Sequence, residues 1–125
     1  MLHIILVTVR PEIFHSFAEG LSSDPEVRVD QVTSGAEALG IVRTKSPHLV
    51  IVDSEVADTG SLGLVREIIS ANAMVNTAVV SALSDDEFHD SGEGLGILCR
   101  LPLEPGNKEG RELLQKLLAV VRPAG

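Results

Sequence analysis

Short apolar runs alternate with segments of helical period along most of the chain, and no other feature narrows the fold as much. Leu2–Val7 (LHIILV) predicts a strand. Arg10-Pro11-Glu12 opens a helix, with Pro near its first position. Ile13, Phe14, Phe17 and Leu21 then share one helical face. Val27–Val32 (VRVDQV) alternates with period two, as a half-exposed edge strand does. Ser34-Gly35-Ala36-Glu37 is a capping box, and Ala38, Leu39, Ile41 and Val42 follow on a second helix that Ser46-Pro47 ends. His48–Val52 is a third strand, apolar enough to be covered on both faces. A loop over Asp53–Ser61 leads to a third helix carrying Leu62, Leu64, Val65, Ile68 and Ile69. Ala78-Val79-Val80 forms the core of a fourth strand, and Leu95–Leu98 a short fifth. Residues 84–92 fit no single reading: SDDEF begins a helix that HDSGEG cuts short. Asn107 caps a last helix with Leu113, Leu114, Leu117, Leu118 and Val121.

Strands that alternate with helices pair in parallel through right-handed crossovers. The pattern therefore predicts an α/β fold: a (βα)5 flavodoxin-like three-layer sandwich whose parallel five-stranded sheet has the order 2-1-3-4-5. The 125 residues suit one domain, expected over residues 1–122, with 123–125 a tail or the start of a linker. In such a sheet the functional cleft lies at the carboxyl ends of the strands, at the switch point between strands one and three. Asp53 ends strand three, so topology alone places it there.

Composition excludes several classes. A net charge of −8 disfavours direct nucleic-acid binding, which needs clustered Lys and Arg. No apolar run approaches the roughly 18–20 residues of a membrane span, and the start, MLHIILVTVRPE, lacks the basic segment and cleavage site of a signal peptide. The single cysteine, Cys99, rules out an internal disulfide and fits a reducing, cytoplasmic setting. Three Phe, no Tyr and no Trp leave few stacking platforms.

The turn after strand one, Thr8-Val9-Arg10-Pro11, has no glycine for a phosphate loop. Gly92, Gly94 and Gly96 do not follow a strand and open a helix, so they serve backbone conformation. His3, His15, His48 and His89 are scattered, without metal-ligand spacing. No G-x-S-x-G elbow supports a hydrolase triad. Glu104 and Glu109 suit the N-terminal end of the last helix. There remain Asp53 and Ser81, which close strands three and four. Neighbouring strands lie about 4.8 Å apart, so the Ser81 hydroxyl can approach a group carried on Asp53.

SPHLVIVDSEVADTGSLGLVREI, TAVVSALSDDE and RLPL together resemble the receiver domain of bacterial two-component response regulators, over nearly the full length. The resemblance implies that Asp53 is the phosphoacceptor, that Ser81 contacts the phosphoryl oxygens and that Pro102 keeps the family's Lys-Pro turn. Gly94 falls where the family commonly has a glycine before strand five. It implies Mg²⁺ as cofactor. It implies a histidine kinase or other signalling protein as partner, with homodimer formation a further expectation, and neither nucleic acid nor membrane as a direct partner. It also implies that the domain is not itself an enzyme.

The departures from the family are specific. Its acidic pair would stand at Thr8 and Val9, its Lys at Leu101, its aromatic switch residue at Leu98, and its usual Met-Pro at Val56-Ala57. Arg100 is next to Leu101 but points the opposite way if the strand continues. Asp53 and Glu55 are the metal candidates that remain, with Asp58 a further loop carboxylate. Mg²⁺ is usually held by one or two carboxylates plus waters, and phosphoryl transfer depends on electrostatic compensation at the moving group. Single contacts of that kind are worth roughly 3–4 kcal/mol. The sequence therefore predicts an atypical, degenerate receiver with a damaged Mg²⁺ and phosphorylation site, acting largely through protein–protein interaction. A phospho-acceptor that still takes a phosphoryl group on Asp53 is the alternative, and a small-molecule enzyme of flavodoxin-like fold the third.

Overall fold

The structure, a computed structural model, describes residues 2–54, 61–82, 87 and 96–121. Five strands form one parallel sheet: β1 (Leu2–Val7), β2 (Val27–Val32), β3 (Leu49–Val52), β4 (Asn76–Val80) and β5 (Cys99–Leu101). Their order is β2-β1-β3-β4-β5, as predicted. Helices α1 (His15–Leu21), α2 (Gly35–Lys45), α3 (Ser61–Ala71) and α4 (Asn107–Val121) cover it. No helix of the described residues is long and apolar enough to cross a membrane.

The pleat sends alternate side chains to opposite faces, and two cores result. Ile4, Leu6, Leu49, Ile51, Ala78, Val80 and Leu101 pack with Phe14, Phe17 and Leu21 near α1 and Leu113, Leu114 and Leu117 of α4. Ile5, Val7, Val50, Val52 and Val79 pack on the other face with Ala38, Leu39 and Val42 of α2 and Leu64, Val65 and Ile68 of α3. β3 is buried throughout, whereas β2 keeps exposed positions at the sheet edge.

Local signals explain most boundaries. The Ser34 hydroxyl accepts the Glu37 N–H at 3.2 Å and caps α2. Ser46 ends that helix in the left-handed region at φ 45°, just before Pro47. Near α1 and α4 the backbones approach closely: a Cβ on Gly20 would stand 2.3 Å from the Asn107 carbonyl oxygen, and one on Gly110 2.3 Å from that of Phe17.

Three local expectations change. The helix opened by Pro11 starts as a 3-10 turn, Pro11–Phe14, before α1. Arg10 precedes it and has no acceptor in its side chain to cap that turn. β5 covers Cys99–Leu101, whereas Ile97 and Leu98 of the expected Leu95–Leu98 strand precede it and Leu95 lies outside the described residues; Gly96 sits at φ +63°, and pairing with β4 runs from Ala78↔Cys99 to Val80↔Leu101. Asn107 is the first residue of α4, and its side chain reaches the Ser16 carbonyl at 3.3 Å. The carboxylate of Glu109 accepts the Gly106 N–H at 2.7 Å instead. Residues 84–86 and 88–92 lie outside the described residues, as does Gly94.

Candidate functional site

β1 and β3 are neighbours, with Val7 opposite Val52. The chain therefore delivers Thr8 and Asp53 side by side at the carboxyl edge. The Asp53 N–H donates to the Val7 carbonyl at 3.0 Å, and the Thr8 N–H to that of Val32 at 3.0 Å. Both side chains are buried, and Asp53 has 0% exposure.

A buried carboxylate needs donors or a counter-charge. Asp53 has both. The Thr8 hydroxyl donates to Oδ2 at 2.7 Å. Arg10 grips the group with two prongs, Nε to Oδ2 at 2.8 Å and Nη2 to Oδ1 at 2.7 Å. The Ser54 N–H donates to Oδ1 at 2.7 Å. Nη2 of Arg10 also donates to Ser54 Oγ and to the Leu103 carbonyl, each at 3.2 Å. Thr8 Oγ1 accepts the Arg10 N–H at 3.0 Å, which locks the turn. Burial alone pushes the Asp53 carboxyl upward. The hydrogen bonds from Arg10, Thr8 and the Ser54 backbone, together with the Arg10 charge, outweigh it and hold the group below its ordinary value.

The other sequence-derived positions stand as follows. Val9 is 47% exposed at the rim. Ser81 is half-buried just beyond β4, its N–H paired to the Leu101 carbonyl at 3.0 Å. Because Val52 faces Val79, Ser81 stands one residue farther along its strand than Asp53 does. Leu101 ends β5 with its side chain in the core. Arg100 reaches the Ser81 carbonyl at 3.2 Å. Leu98 lies just before β5, half-buried against the α1–α4 core, and donates its N–H to Thr77 at 2.8 Å. Glu55, Val56, Ala57 and Asp58 lie outside the described residues.

As arranged among the described residues, these donors do not fit Mg²⁺. The ion wants oxygen ligands that accept no competing proton. Here both Asp53 oxygens carry N–H or O–H donors, and a guanidinium sits against them. Among the described residues, no group of three or more His, Cys, Asp or Glu could hold a metal ion. What this arrangement does chemically is keep a carboxylate ionised, neutralised and shielded from water.

Arg10 is the residue that sequence reasoning missed, since Arg10-Pro11 reads locally as a helix start. The available signal was topological: a cation two residues beyond Thr8, in the loop that must face the end of β3.

No protein-family model matches the chain, and no curated protein matches it. Solved structures do. The non-phosphorylated HemR receiver domain from Leptospira biflexa superposes with a TM-score of 0.80 at 21% identity, covering 100% of both chains. The chemotaxis response regulator CheY4 of Vibrio cholerae gives 0.79 at 18% identity, with 94% of this chain and 99% of that one covered. A LuxR-family two-component response regulator from Aurantimonas gives 0.79 at 17% identity, covering 94% and 85%. The fold is therefore that of response-regulator receiver domains, a flavodoxin-like α/β sandwich.

Proposed function

We propose that the chain is a receiver-like signalling domain of a two-component response regulator that works largely through protein–protein interaction, with its phosphorylation site out of use. The observation that carries this reading is the two-pronged Arg10–Asp53 pair over a carboxylate with no exposed surface. To take a phosphoryl group, a carboxylate oxygen must be presented in line to the donor, with cations compensating the moving charge. Asp53 presents neither oxygen freely, and the places of the acidic pair hold Thr8 and Val9. The partner is a histidine kinase or another signalling protein in the cytoplasm, and the domain has no catalytic role of its own.

A working phospho-acceptor is the second reading, supported by Asp53 and Ser81 following adjacent strands. One experiment separates the two. Amide resonances of residues 8–10, 53–54, 81 and 98 are followed while Mg²⁺ with beryllofluoride, or acetyl phosphate, is added. The interaction reading expects no saturable change. Saturable shifts that Asp53→Asn abolishes would establish the phospho-acceptor instead.

A further inference from the structure

We propose that the Arg10 guanidinium is itself the cation of this cleft: it stands in for the divalent ion, excludes it, and ties the loop after β5 to the end of β1. The proposal rests on the reading of the domain given above and names what controls its site.

Three observations carry it. The first is saturation. A carboxylate has about four lone-pair sites. Oδ1 accepts from Arg10 Nη2 and Ser54 N, both at 2.7 Å, and Oδ2 from Thr8 Oγ1 at 2.7 Å and Arg10 Nε at 2.8 Å. A divalent ion would have to strip these donors and settle beside a fixed positive charge. The second is charge balance. Asp53 and Arg10 sum to zero, and the neighbouring acidic-pair positions are Thr8 and Val9, so nothing in the described cleft calls for a further cation. The third is construction. Pro11 disfavours helical backbone at the residue before it, and Arg10 is accordingly non-helical at φ −134°, ψ 66°. Its N–H is held by Thr8 and its far end donates to the Leu103 carbonyl, 93 residues away in sequence. One side chain, 22% exposed, thus joins the β1, β3 and β5 ends of the cleft.

The test uses the whole chain and Mn²⁺ as the probe, read by paramagnetic broadening of amides near Asp53. Wild type should show no saturable broadening at millimolar Mn²⁺. Two variants isolate the arginine: Thr8→Asp/Val9→Asp, and the same pair with Arg10→Gln added. Like-charge repulsion from Arg10 predicts at least about tenfold tighter Mn²⁺ binding in the triple variant. Equal affinities in the two variants, or saturable binding by wild type, would overturn the proposal. Arg10→Lys, which keeps the charge but loses the fork, addresses the tie: amide exchange at Leu103, Glu104 and Gly106 should quicken while β3 stays protected. Unchanged exchange there would remove the tie. The function proposed above fails separately, since phosphorylation of Asp53 without metal would refute it and leave the metal-exclusion result standing.

Discussion

A carboxylate with no exposed surface is costly to desolvate unless a partner compensates it, and at Asp53, among the described residues, the side chain that brings opposite charge is Arg10. Removing one member of a buried pair typically costs about 3–5 kcal/mol. Arg10 keeps some water contact, so Arg10→Ala should cost about 3 kcal/mol in urea unfolding. Asp53→Asn should cost less, about 1 kcal/mol, because it removes the buried charge and leaves a guanidinium that water can reach. The reverse ranking would mean that Arg10 is incidental. The pH dependence has a definite sign. The folded-state pKa of Asp53 is depressed, so its contribution is complete above the ordinary carboxylate value and is lost as pH falls through the folded one. The stability gap between wild type and Asp53→Asn should therefore stay level above pH about 5 and narrow as pH falls below about 4. Asp30 is also lowered, chiefly by its hydrogen bond with His3, but is common to both proteins and cancels. A gap that is constant with pH would contradict the ion pair.

Between elements, glycine separates two opposite outcomes. Gly40 lies on the exposed side of α2, with nothing within 4 Å of an added Cβ. Gly40→Ala should stabilise by about 0.5–1 kcal/mol through helix propensity. Gly20 and Gly110 sit where α1 and α4 nearly touch. Alanine at either should destabilise by about 1–3 kcal/mol, since a backbone must move to admit the methyl group. Thermal melts of the three variants check the signs, and a stabilised Gly20→Ala would mean the helices are farther apart than described. Element type was legible because the periods of two and 3.6 were clean, as in VRVDQV and in the Phe14, Phe17, Leu21 face. β5 was not. Leu95–Leu98 is the more apolar run, but a short strand forms where its partner's backbone groups and the core demand it. Leu101 is taken into the α1–α4 core, and Gly96 turns the chain before the strand.

For the molecule as a whole, Arg10 and Asp53 already balance each other among the described residues of the cleft, which leaves no charge change there to transmit. Mg²⁺ with beryllofluoride should therefore leave the sedimentation coefficient unchanged, and a shift to a dimer would argue for a working switch. The order of the sheet and the place of the cleft were readable from the alternation of elements, because parallel strands admit few connections and their carboxyl ends converge at the switch point. The same reading put Asp53 in that cleft and, by the family resemblance, expected Thr8, Val9 and Leu101 at the places of an acidic pair and a lysine. It could not show what stands against the carboxylate. Arg10 and Asp53 are 43 residues apart, and nothing in Arg10-Pro11-Glu12 marks the arginine as more than a helix start. Period and propensity are properties of neighbours in sequence, so the chain by itself determined the first four strands, the helices of the described residues and the position of the carboxylate. An ion pair is a property of neighbours in space. Only the packing of β1 against β3, with Val7 set opposite Val52, decided that this carboxylate is closed by an arginine.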